Sequence, residues 1–162
     1  MMITFYKIKI NYHYMEVKMK EKINSDIQKN MDERFGRDTL ISVATIDNGI
    51  PHVRIVDSYY EDGTFYTLTH AHSNKMKNIN ANPTVALCSE WFTAHGIGEN
   101  IGHPCDDKNA EIAKKLRVIF SDCYCNDKNK DSNPDTCILC IRLTDGILIH
   151  DGIKYEIDFS TN

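Results

Sequence analysis

The densest group of reactive side chains is Thr69-His70-Ala71-His72-Ser73-Asn74-Lys75, where a strand pattern gives way to a helical one. The Thr69 and Ser73 hydroxyls, the Lys75 ammonium and the free N–H groups of a first helical turn can converge there on one small anion. A phosphate would fit. The same residues have a plain reading, in which Ser73 merely caps the helix and Lys75 is solvated. Arg54 adds a second cation. It lies within an apolar strand, on the face shared by Ile50, His52, Val56 and Ser58, while Val53, Ile55 and Tyr59 point the other way. Arginine is scarce, five residues against fourteen lysines, and one inside such a strand needs an acceptor. An internal carboxylate or a bound phosphate would each serve.

Other candidates carry less. Cys137 and Cys140 have the spacing of a metal knuckle, yet on a strand their side chains fall on opposite faces. Cys123 and Cys125 share a face if extended but lack a third and fourth ligand at suitable spacing, and His103 with Cys105 is a remote pairing. No metal site is expected. Gly96-x-Gly98-x-x-x-Gly102 lacks the spacing of a dinucleotide fingerprint and reads as bends in a strand. Histidines 52, 70, 72 and 95 could border a ligand cleft, although a structural or surface role suits each of them too.

The elements that must position these residues follow from periodicity. Ile23, Ile27, Met31 and Phe35 form one apolar stripe on a helix ending near Gly36. Strands are expected over Thr39–Asp47, Ile50–Tyr60 and Thr64–His70, joined by turns at Asn48-Gly49 and Asp62-Gly63. A short helix fits Asn74–Asn82, with Ser73 as its N-cap and Pro83 stopping it. Thr84–Phe92 should be a fourth strand carrying Trp91, and the run to Ile101 a bent fifth. Asp106 can cap a helix reaching Ser121, with Ile112, Leu116 and Ile119 or Phe120 inward. Asn126–Asp135 reads as a mobile polar loop, and Thr136–Thr144, Gly146–His150 and Ile153–Phe159 as closing strands with turns at Asp145-Gly146 and Asp151-Gly152. Short strands with Asx-Gly turns and no long βαβ spacing favour a mainly β, antiparallel barrel with flanking helices.

Length and charge bound the rest. At 162 residues the chain supports one domain, taken as 22–162. Residues 1–21 form a Met-rich extension, either an extra edge strand or an upstream extension of the reading frame. A net charge of −4 gives no broad basic field for nucleic acid or anionic membrane. No apolar run nears the roughly 20 residues of a membrane span, and Lys7 and Lys9 interrupt any signal-peptide core. A cytoplasmic protein with six reduced cysteines is therefore expected.

The segment from Thr39 to about Cys88 resembles the flavin-binding split barrels related to pyridoxamine 5′-phosphate oxidase. The resemblance rests on Pro51-His52-Val53-Arg54, Ser73-Asn74-Lys75 and Asn82-Pro83, in that order. It implies a six-stranded antiparallel Greek-key split β-barrel that forms a homodimer, with FMN in clefts between the protomers. By position, Arg54, Ser73, Asn74 and Lys75 would hold the FMN phosphate. Backbone groups of Arg54, Ile55, Val56 and Asp57 would face the flavin ring, Leu68 and Thr69 would touch ring or ribityl chain, and Trp91 would reach the cleft from the partner. The chain departs from the oxidases proper at its end. Tyr155-Glu156-Ile157-Asp158-Phe159 stands where they carry an arginine-rich phosphate grip, and no arginine follows Arg142. True vitamin B6 oxidation is therefore not expected. The function implied is an FMN-dependent oxidoreductase acting on an unidentified small molecule, with NADH or NADPH as a candidate donor and no catalytic residue assignable. The competing class is a non-catalytic protein that binds or senses flavin, deazaflavin or haem.

Overall fold

The computed structural model describes residues 16–17, 21–121 and 131–160. Strands β1 (Glu16–Val17) and β2 (Glu21–Lys22) precede helix α1 (Ser25–Phe35). Then come β3 (Thr39–Asp47), β4 (Ile50–Glu61), β5 (Thr64–His70), α2 (Asn74–Ala81), β6 (Thr84–Ser89) and β7 (Phe92–Asn100). A short 3-10 turn, α3 (Ala110–Ile119), β8 (Thr136–His150) and β9 (Ile153–Asp158) complete the chain. Six strands close on themselves in the order β3-β4-β5-β8-β7-β6, because β6 returns to β3 and β7 pairs with β8. This is the six-stranded antiparallel barrel expected. β9 extends the sheet beyond β8, and β1 and β2 pair parallel to β9.

The barrel is not evenly paired. β4 lies against β3 along Ile50 to Ser58, but meets β5 only through Tyr59↔Tyr66, Tyr60↔Phe65 and Glu61↔Thr64. Among the described residues nothing pairs with the other edge of β4 along its first nine residues, leaving a split between β4 and β5.

Helix α1 closes the barrel with the stripe Ile27, Met31 and Phe35, all buried. Its cap is Asn24, whose side-chain oxygen accepts from the N–H groups of Asp26 and Ile27 at 3.0 Å each. Phe35 meets the rings of Phe65 and Phe92 at 5.5 and 5.1 Å. A satellite core of Ala113, Leu116 and Phe120 covers the outer side of β8 at Ile138. Ala113 replaces the expected Ile112 as a fully buried residue, while Ile112 and Ile119 pack at its margin.

Three expectations are corrected. Asp145-Gly146 makes no turn, because β8 runs unbroken through it, pairing with β7 on one edge and β9 on the other. A Cβ at Gly146 would sit 3.1 Å from the Thr93 carbonyl oxygen, so this glycine serves close strand approach rather than a reversal. The fourth strand ends at Ser89, so Trp91 occupies the β6–β7 turn and not a strand. Asp106 does not cap α3. Its side chain accepts the His103 N–H at 2.9 Å, and the helix starts after the 3-10 turn Asp107–Asn109. Of the proposed mobile loop, 126–130 lie outside the described residues, as do Cys123 and Cys125.

Truncating the ring at the barrel's closed end removes two aromatic contacts and opens a cavity. Phe35→Ala is expected to cost about 3–5 kcal/mol in urea unfolding, with an unchanged denaturant slope.

Candidate functional site

The split in the barrel is where the reactive residues gather. Arg54 projects from β4 on the face shared with Val43, its partner across the ladder. Its Nη1 donates to the Val43 carbonyl at 3.1 Å, which leaves most of the guanidinium N–H groups for another acceptor. Lys75 comes from the first turn of α2 and is half-buried. Burial pushes its ammonium below the ordinary lysine range, and the nearby Arg54 charge pushes it further the same way. Burial also lowers Arg54. Among the described residues no carboxylate compensates either cation. The internal ion pair considered for Arg54 is thus absent from the described residues, and two like charges face one opening.

Ser73 sharpens this picture. It holds the N-cap position of α2, but its side chain makes no capping bond. Its Oγ is buried without any hydrogen-bond partner. A buried hydroxyl left unsatisfied costs about 1–3 kcal/mol, which an anion held by the neighbouring cations would remove. Thr69 is buried at the end of β5 on the inner face, and Asn74 is exposed at the helix start. Cys137, opposite Thr69 on β8, is a buried thiol pushed up to about 11 by burial, an effect that Lys75 partly opposes.

The loop bearing these groups is fastened from outside. Asp135 accepts the Ala71 N–H through its backbone oxygen at 2.8 Å. Its carboxylate lies 3.4 Å from His70 Nε2 and 3.3 Å from His72 Nε2. His70 Nδ1 accepts the His72 N–H at 3.2 Å, so the His70 ring proton sits on Nε2 facing Asp135. Among the described residues no cluster of three or more histidine, cysteine or acidic side chains could hold a metal ion. From below, Asn78 Nδ2 donates to Thr45 Oγ1 at 3.0 Å, both buried, and ties α2 to β3.

The other sequence candidates are placed as follows. Ile55, Val56 and Asp57 lie on the free edge of β4, so backbone groups there are open to the split. Val56 packs at the margin of the main core, while Ile55 and Asp57 turn outward. Leu68 packs outward beside the satellite core. Within one chain Trp91 lies away from this group, and its expected reach into a cleft concerns the partner's. It lines a separate cavity with Arg34 and His150. His52 neighbours Arg54 on β4, and His95 faces Asp145 at 2.8 Å on the far side of the barrel. Asp135 escaped the sequence reading, since nothing in a polar run predicts that one aspartate will grip two histidines.

The fold is a split antiparallel barrel with Arg54 on β4 and Lys75 at the start of α2 close enough to repel each other. The pyridoxamine 5′-phosphate oxidase family model matches residues 27–149, and the chain belongs to that family. Among curated proteins none matches. Solved structures agree on the fold. A putative pyridoxamine 5′-phosphate oxidase from Listeria innocua is 15% identical over 76% of this chain and 96% of its own, with a TM-score of 0.57. An FAD-binding protein from Mesorhizobium loti is 14% identical over 76% and 92%, with a TM-score of 0.59. A heme binding protein from Mycobacterium smegmatis is 14% identical over 76% and 54%, with a TM-score of 0.58. No helix of the described residues is long and apolar enough to cross a membrane.

The depressed Lys75 pKa sets a pH prediction. Without ligand, the folded chain releases this proton before the unfolded chain does, so stability rises as pH climbs from the folded value towards 10.5. Lys75→Met, which has no such proton, is expected to melt above the wild type near pH 7. The difference should shrink towards pH 10.5 and reverse or vanish at neutral pH when inorganic phosphate is added.

Proposed function

We propose that the chain is an FMN-binding flavoprotein, with the phosphate held by Arg54, Ser73, Asn74 and Lys75. The observation that carries this reading is the buried, unpartnered Ser73 hydroxyl two residues from Lys75, together with the nearby Arg54, neither cation being neutralised by a carboxylate among the described residues. It fits a dianionic group far better than a neutral one. The free edge of β4 beside it supplies backbone donors and acceptors from Arg54 to Asp57 for the heteroatoms of a flat ring. Thr69 stands on the inner face where a ribityl chain would pass. A flavin bound there would supply hydride or single-electron transfer, while the protein's part is to position the ring and tune it by hydrogen bonds. An oxidoreductase acting on a small molecule, with a nicotinamide donor entering the same cleft, follows from this reading. Vitamin B6 oxidation does not, because the closing strand β9 carries no arginine for a second phosphate.

The functional unit in this proposal is a homodimer. The outer face of β3 and β4 exposes Leu40, Ile46, Val53 and Ile55, with Val53 and Ile55 68% and 67% accessible. A contiguous apolar patch beside a ligand cleft favours burial against a second copy. Val53→Glu is expected to give a monomer by light scattering, with FMN affinity reduced at least about tenfold as half the cleft is lost.

The phosphate assignment has its own test. Arg54→Ala and Lys75→Ala should each weaken FMN by roughly ten- to a hundredfold while changing riboflavin by less than about threefold. Equal losses for both ligands would refute it. A purified protein that is colourless and does not take up added FMN would sink the flavin reading altogether. Flavin bleaching by NADH or NADPH, reversed by an added acceptor, would separate an enzyme from a binding protein.

A further inference from the structure

Trp91 is placed where the barrel has no use for it. The β6–β7 hairpin closes through the two residues Glu90 and Trp91, since Ser89 pairs directly with Phe92. Trp91 has φ +56, a left-handed conformation that this turn position normally reserves for glycine or asparagine and that is an outlier for a bulky side chain. It is also 63% exposed, so core burial does not repay the strain. Strained residues of this kind cluster at functional sites and persist where the surrounding structure holds them.

The turn is nonetheless held firmly. Ile149 N–H donates to the Trp91 carbonyl at 2.9 Å, and the Arg34 guanidinium of α1 donates to the Glu90 carbonyl. The indole thereby forms one wall of a cavity of about 560 Å3, completed by Ile149 and by His150, Asp151 and Gly152 of the β8–β9 turn. That volume lies in the range of small-molecule sites. Arg34 is the cation of this cavity, and the Glu90 carbonyl takes only one of its five N–H donors. Glu90 lines the cavity as well, and its carboxylate offsets part of the cost of burying the Arg34 charge. It acts on Arg34 without forming an ion pair, and Asp151 sits 3.4 Å from His150. Burial disfavours the Arg34 charge, so an incoming anion would be received by a partly desolvated guanidinium.

We propose that this cavity is a second ligand site, separate from the Arg54–Lys75 site, which takes a planar aromatic acid: ring against the Trp91 indole, carboxylate on Arg34. A flat ring uses the strained indole face, and a carboxylate matches the planar fork of the guanidinium. The site does not depend on flavin binding elsewhere.

Trp91 is the only tryptophan in the 162 residues, so its fluorescence reports on the cavity directly. In the full chain as purified, benzoate is expected to change that fluorescence saturably and to bind at least roughly tenfold more tightly than benzamide, its uncharged counterpart. Arg34→Gln should remove the preference for benzoate without altering the benzamide response. Trp91→Gly relieves the turn strain, so it should melt no lower than the wild type while losing benzoate binding by calorimetry. The proposal is overturned by no saturable signal, as when a second copy of the chain covers the cavity, by equal affinity for the two ligands, or by a Trp91→Gly protein that still binds benzoate.

Discussion

The site depends on the interrupted pairing of β4 and β5. Had β5 continued along β4, the groups of Arg54 to Asp57 would have been consumed by the ladder and the inner face sealed. Three paired residues are enough to close the barrel at its Tyr60–Phe65 end, where α1 inserts its apolar stripe. The remaining length stays open. Into that opening the chain projects two cations and a hydroxyl that the protein itself does not satisfy.

Such an arrangement is unfavourable for the isolated fold. Burial depresses both cations, their mutual repulsion adds to this, and the Ser73 oxygen forfeits a hydrogen bond. The cost is borne by rigid surroundings. Asn78 anchors α2 to β3, while Asp135 holds both histidines of the preceding loop. Local instability held in place by well-packed supports is what preorganised binding requires, because the ligand then meets its donors without reordering them. The Trp91 turn repeats the principle at the opposite end of β6, where one backbone hydrogen bond from Ile149 and one from the Arg34 side chain hold a strained residue against solvent.

Much of this was legible in the chain. Asn48-Gly49, Asp62-Gly63 and Asp151-Gly152 all form turns with the first residue at positive φ, as their composition dictates. Alternation along β4 placed Arg54 on the inner face, and the Ser73-x-Lys75 junction marked the strand-to-helix change. The failures share one cause. Asp145-Gly146 has the composition of a turn, yet neighbouring strands on both edges of β8 hold it extended. Glu90-Trp91 has no turn composition at all, and only the Ser89–Phe92 pairing makes it one.

By itself the sequence determined the element types, the inward and outward faces of the strands, and the scarcity of arginine that made Arg54 conspicuous. These are properties of residues and near neighbours, written in periodicity and local steric preference. Tertiary structure decided where the barrel would fail to close, that no described carboxylate would reach Arg54 or Lys75, and that Ser73 would keep its hydroxyl free. It also set Trp91 and Arg34 about one cavity. Each of these is a contact, or the lack of one, between segments distant in the chain, and no local pattern carries that information.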